Sequence, residues 1–170
     1  MEQKHLLDAS KDQLNRVLGF FSRVDSKASV LLAVDTGMLA LLATNAPPVK
    51  LFHWQLLFAL LPLFLLAGSL WHLYKGAFPS LEGGQSSLIY FREVANRTEQ
   101  RFIDEFIAQA EGEYIKDMLG QSWRNSVILR EKFDHLSSAF NWLAIAILPW
   151  MIALAMFAVT NTEARTLLVK

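Results

Sequence analysis

The sequence has no cysteine. That excludes disulfides, thiol nucleophiles and cysteine-ligated metals, and it leaves the compartment open. Charge is scarce: 19% of residues are Asp, Glu, Lys or Arg, where a soluble domain carries about a quarter. Neither sign dominates, since 16 basic residues balance 16 acidic ones, so bulk electrostatics makes no case for nucleic acid. There is no HExxH, GxSxG, Walker loop or glycine fingerprint, so no catalytic constellation is in view and the chain reads as a non-enzyme. His5, His53, His72 and His135 share no metal-ligand spacing. What remains is apolar: hydrophobic residues make up 53% of the chain and mean hydropathy is +0.27. The 170 residues suit one domain, and the composition points to a membrane protein.

Three apolar runs are near the roughly 20 residues that a helix needs to cross a bilayer. The first covers 28–44 and is interrupted by Asp35. The second, 54–74, and the third, 140–160, contain no Asp, Glu, Lys or Arg. The first reads as a retained span, because its leader is long and carries Glu2, Asp8, Asp12 and Asp25, unlike a short basic signal-peptide region. Lys4, Lys11, Arg16, Arg23 and Lys27 precede it, and eight cations lie between the second and third runs, against only Lys50 between the first and second. The positive-inside rule then puts the N-terminus and residues 75–139 in the cytoplasm.

The expected architecture is all-α: a cytoplasmic amphipathic helix over 1–27, three transmembrane helices, and a cytoplasmic helical bundle built with residues 75–139. Leu14, Leu18, Phe21, Asp25, Ala28, Leu32 and Asp35 make one stripe at four- and three-residue steps, running from the arm into the first span. On this spacing Asp25 and Asp35 share a protein-facing stripe. "FPSLEGGQSS" (Phe78–Ser87) reads as a loop. "NRTE" (Asn96–Glu99) has capping-box spacing, and the helix after it is expected to bury Phe102, Phe106, Ile107 and Ala110. Ile115, Leu119, Ser122, Ser126, Leu129, Phe133, Leu136, Phe140, Leu143 and Ile147 repeat the four–three rhythm into the third span, so the two long helices are expected to pair. Pro62 and Pro149 lie near the middle of their spans, where each is a hinge or an ordinary tolerated proline.

"FFSRVDSKASVLLAVDTGMLALL", "SSLIYFREVA" and "RNSVILREKFDHLSSAFNWLAIAILPWMIAL" resemble the small multi-pass membrane effectors of Pycsar antiphage systems. The resemblance covers nearly the whole chain and is densest at Asp25–Ser29. It implies a bacterial inner-membrane effector that answers a cyclic pyrimidine mononucleotide, cCMP or cUMP, made by a separate pyrimidine nucleotide cyclase. The response it implies is impaired membrane integrity and abortive infection. Two other readings stay open: a related two-span-type effector answering a different nucleotide, and a non-catalytic membrane scaffold docking a partner through the surface around Leu129 and Phe133. No cofactor is expected, and the partners are the lipid bilayer, the nucleotide, the cyclase and further copies of the chain in a homo-oligomer.

The candidate ligand-binding or gating residues are Arg23, Asp25, Lys27, Asp35, Asn125 and Lys132. Arg offers forked donors to a phosphate, Lys a point charge, and Asp an acceptor for a ribose hydroxyl or base amine. The alternative for Arg23–Lys27 is a charged interfacial boundary, with Lys27 snorkelling and Arg23 drawn to lipid phosphate. Asp35 lies about 10 Å into its span, counting 1.5 Å per residue from Ala28. It either lines or gates a pore or hydrogen-bonds a hydroxyl on a neighbouring helix. Asn125 and Lys132 are favoured by the resemblance, whereas a solvated helix face accounts for Arg124, Arg130 and their neighbours.

Overall fold

The computed structural model describes residues 2–47, 54–78 and 84–168, and among them every regular element is helical. Helix α1 runs over Glu2–Asn45 and α2 over Leu60–Ala77, the latter entered through a 3-10 segment at Trp54–Ala59. Two short helices follow, α3 (Phe91–Ala95) and α4 (Glu99–Ala108), and then α5, Glu111–Leu168. Three of these are long and apolar enough to cross a membrane. The all-α class and the three candidate spans expected from the sequence are therefore present.

Local chemistry sets the ends. α1 stops at Asn45, two residues before Pro47, because proline disfavours helical backbone in the residue it follows. The carbonyl of Asn45 accepts a hydrogen bond from Asn161 Nδ2 at 3.0 Å. α4 starts from Thr98, whose hydroxyl accepts from the Arg101 backbone N–H at 3.3 Å. The cap is thus Thr98 rather than Asn96, and an Arg in the third helical position supplies no reciprocal capping-box bond. α5 opens with Glu111 and Glu113, which suit the positive end of the helix dipole. Pro62 is the third residue of α2, directly behind a 3-10 segment, so the residue without an N–H lies where the helical hydrogen-bond pattern changes. It is not a mid-helix hinge. Pro149 does lie inside α5.

The chain divides into two compact units: residues 1–25 with 79–133, and residues 26–78 with 134–170. In the first, Ser10 Oγ contacts Met118 Sδ at 3.9 Å and Asp25 meets Lys132, so α1 and α5 run parallel. The seam buries Val17, Val24, Ile115 and Met118, with Leu88 and Tyr90 added by the segment before α3. Arg97 binds that segment together. Its guanidinium donates to the carbonyls of Ser86 (2.9 Å), Ser87 (3.1 Å) and Glu93 (2.6 Å) and to Glu105 Oε2 at 2.7 Å. α4 contributes no buried residue. Phe106 is exposed and Ile107 is 78% exposed, contrary to the expected burial, because ten residues present too little surface to enclose two large side chains.

In the second unit α1 and α5 again run parallel, with Trp150 Nε1 donating to the Met38 carbonyl at 3.0 Å, and α2 lies antiparallel to both. Met38, Leu42, Leu66, Leu143, Ala146 and Phe157 form the core, flanked by Trp142 and Leu154. Small residues set its spacing. A Cβ built on Gly68 would lie 2.7–3.0 Å from three ring carbons of Trp142.

The helical rhythm is real, but its frame differs from the one expected. The buried or half-buried positions of α1 are Leu7, Ser10, Leu14, Val17, Phe21, Val24, Ala28, Leu31, Asp35, Met38, Leu39 and Leu42. Leu18 and Leu32 point outward at 48% and 47% exposure, and Asp25 is exposed. On α5, Met118, Asn125, Lys132, Ala139 and Ala146 replace Leu119, Ser126, Phe133, Phe140 and Ile147 in the seam. In the spans, lipid is as good a solvent for Phe140 or Ile147 as a protein core is, so small residues take the inside and helices approach closely.

Two outcomes follow. Gly68→Ala should lower stability by about 1–3 kcal/mol, as overpacking does, whereas Gly37→Ala, with nothing within 4 Å of a built Cβ, should be neutral or slightly stabilising; thermal melts in detergent compare them. Hydrogen bonds from Arg101 and Arg97 hold the Glu105 carboxyl below its usual range. That stabilisation is complete above the ordinary Glu pKa of about 4.3 and is lost as pH falls through the lower folded value. Acid-induced loosening of the first unit, followed by hydrogen exchange in 86–108, should be weaker in Glu105→Gln.

Candidate functional site

The first unit gathers three of the six candidates on one face. Lys132, on α5, is 9% exposed, and a buried ammonium needs a counter-charge. Asp25 of α1 supplies it, with 2.6 Å between Oδ1 and Nζ. Lys132 Nζ also sits 5.7 Å from the centroid of the Phe21 ring, one turn back along α1. Asp25 therefore does not occupy the seam. It reaches it from the exposed edge, and its side chain remains 56% exposed. Two turns before Lys132, on the same face of α5, Asn125 is buried and accepts from Gln121 Nε2 at 3.2 Å. Gln121 Oε1 in turn accepts from the Arg124 guanidinium at 3.2 Å, and Arg124 lies 3.8 Å from Asp117.

This polar row is a substantial departure from an apolar seam. Ser122, Asn125 and Lys132 are all buried at positions where a heptad pair puts Leu or Ile. Ser122 donates back to the Met118 carbonyl at 2.8 Å, so its hydroxyl is satisfied within the helix. Arg23 lies outside the row, exposed on α1 with its guanidinium 5.2 Å from the Phe20 ring. Trp123 is 69% exposed whereas Tyr90 is buried.

The second unit holds Asp35 and Lys27. Lys27 is exposed. Asp35 is completely buried, and its Oδ2 accepts from Ser69 Oγ of α2 at 2.7 Å. Ser69 Oγ also lies 3.1 Å from the Ala139 carbonyl of α5. Asp35 Oδ1 has no hydrogen-bond partner among the described residues. The hydroxyl partner weighed for Asp35 in the sequence is thus Ser69, and one hydroxyl ties together three helices.

Sequence reasoning missed three features. Ser69 is the sole serine or threonine in 54–74, a signal that was present and went unused. His72 and His135, remote in sequence and without metal-ligand spacing, meet with their Nδ1 atoms 3.2 Å apart; His53 falls outside the described residues. Arg97 resembled one more exposed cation, yet its side chain is only 8% exposed. No group of three or more metal-ligating side chains occurs among the described residues.

The Asp25–Lys132 pair is half in water, which places its coupling between the roughly 0.2–1 kcal/mol of exposed pairs and the 3–5 kcal/mol lost when one partner of a buried pair is removed. A double-mutant cycle with Asp25→Ala and Lys132→Met should give a coupling of about 1–2 kcal/mol. Lys132→Met alone should be tolerated better than Asp25→Ala, which strands the ammonium.

The Pycsar effector protein domain family matches residues 9–159 of this chain. The Pycsar effector protein EcPycTM of Escherichia coli is 24% identical over 158 residues, covering 84% of this chain and 85% of that protein. No solved structure matches the chain. A match that takes in both units, all three membrane-length helices and every candidate residue leaves one conclusion: this chain belongs to the Pycsar effector protein family.

Proposed function

We propose that this chain is a membrane effector of a bacterial Pycsar antiphage system, activated by cCMP or cUMP from a partner cyclase and acting by impairing the inner membrane. The observation that carries the reading is the family match over residues 9–159. The N-terminus and residues 75–139 lie in the cytoplasm, following the cation distribution, and the active form is a homo-oligomer.

The polar row of the first unit supports a nucleotide site there. The Gln121 and Asn125 amides offer the donors and acceptors that a pyrimidine edge requires. A cyclic mononucleotide carries one phosphate charge, and Lys132 is the buried cation that can meet it. In the resting state Asp25 holds that cation; a phosphate competes with Asp25 for the same ammonium. Exchange of one anion for another at a helix seam gives the ligand different affinities for two arrangements of the pair, and only such a difference can shift the equilibrium. Arg23, exposed on α1, serves as an outer cation of the same approach. A scaffold reading has one observation in its favour, the exposure of Leu119, Trp123 and Phe133 on the outer side of α5.

Dye release from liposomes carrying the purified protein tests the proposal. With cCMP, cUMP, cAMP and cGMP in turn, leakage is expected with a pyrimidine nucleotide and not with the purine ones. Lys132→Met should shift the nucleotide dependence roughly 10–100-fold, the equivalent of one charge-assisted hydrogen bond. If no nucleotide causes leakage and none gives saturable binding heat, the effector reading fails and the scaffold takes its place.

A further inference from the structure

We propose that Asp35, Ser69 Oγ and the Ala139 carbonyl form a binding site for a small monovalent cation, the chemistry shared by Na⁺ and a proton. Three oxygen groups from α1, α2 and α5 converge there, at 2.7 Å (Ser69 Oγ to Asp35 Oδ2) and 3.1 Å (Ser69 Oγ to the Ala139 oxygen). The hydroxyl has one hydrogen facing two acceptors, so the cluster has more lone pairs than donors. Asp35 is 0% exposed, and its Oδ1 is without a hydrogen-bond partner among the described residues. A bare carboxylate inside a membrane-length helix is costly, and a second positive centre at Oδ1 removes both the charge and the orphaned acceptor.

No side chain among the described residues supplies that charge. The other charged groups described in this unit, Lys27, Lys75 and Asp134, are exposed, and no ion pair to Asp35 occurs among the described residues. Tyr74 is exposed, and His72 on α2 and His135 on α5 are held to one another at 3.2 Å. An all-oxygen set with one formal charge fits a hard monovalent ion, since divalent ions gather several carboxylates. His72 is three residues from Ser69 and His135 four before Ala139. The same faces of α2 and α5 therefore carry half-buried polar groups one turn away.

The site stands whether or not the chain answers a nucleotide, and its test needs none. The full chain in detergent is melted by tryptophan fluorescence in Na⁺ or in N-methylglucamine at equal ionic strength, each at pH 8 and pH 6. A Tm raised by at least ~3 °C in Na⁺ at pH 8 identifies the alkali ion. A similar rise on acidification in N-methylglucamine, without a Na⁺ effect, identifies the proton. In either case Asp35→Asn, which keeps an oxygen for Ser69, must abolish the response, because His72 and His135 are intact in it. If Asp35→Asn does not fold, Ser69→Ala must at least halve the response. Equal melts of the wild type in all four conditions, or a response unchanged by these variants, overturn the proposal.

Discussion

An acid in the middle of a membrane-length helix fixes the rotation of that helix. Asp35 cannot face hydrocarbon, so α1 turns until Asp35 meets Ser69 Oγ at 2.7 Å. A seam with a three–four rhythm has one frame once a single member is fixed. Met38 and Leu42 follow inward on one side of Asp35, and Leu31 and Ala28 on the other. Continued along the same helix, the frame selects Val24, Val17 and Ser10 for the first unit. Lys132 does the same for α5. Held inward by Asp25, it requires Asn125 and Met118 inside and leaves Leu119 and Phe133 outside.

This explains what the sequence disclosed and what it hid. Helix content, the three apolar runs and the pairing of two long helices were legible because periodicity and run length report directly on them. The frame was not. Leu14, Phe21, Ala28 and Asp35 belong to both candidate stripes, and the choice between Leu18 and Val17, or Leu32 and Leu31, is invisible to a count of apolar residues. The rule that decides it is inverted in lipid, where Phe140 and Ile147 gain nothing by facing inward and Ala139 and Ala146 allow closer packing. Polar residues were the better guide. Asp35 was recognisable as a group that must face protein and marks the frame that α1 adopts, whereas Lys132, singled out only by the family resemblance, marks the frame of α5 once its burial is seen.

Of the candidate residues, those with a physical need for a partner found one: Asp35 with Ser69, Lys132 with Asp25, Asn125 with Gln121. Arg23 and Lys27 had no such need, being long exposed cations beside an apolar run, and they remain on the surface. The contacts that escaped notice join residues far apart in sequence whose individual signals are weak. His72 and His135 are 63 positions apart, and nothing in either neighbourhood singles them out. Arg97 becomes central only because the backbone around Ser86 and Ser87 turns its carbonyls toward it.

The two buried charges are held in opposite ways, and the difference bears on what each can do. Lys132 is neutralised by a carboxylate whose side chain is more than half exposed. Its counter-ion can thus leave into water at a modest cost, and another anion can replace it without unfolding the seam. Asp35 has only a hydroxyl beside it and a further oxygen with no protein partner. Its compensation must come from something small enough to reach a fully enclosed carboxylate, which a nucleotide is not. The two proposed chemistries therefore separate: anion exchange would belong to the Asp25–Lys132 pair, and cation occupancy to the Asp35–Ser69–Ala139 node. One chain can carry both, because α1 supplies a carboxylate to each (Asp25 and Asp35), α5 supplies Lys132 to one and the Ala139 carbonyl to the other, and neither site uses the other's ligands.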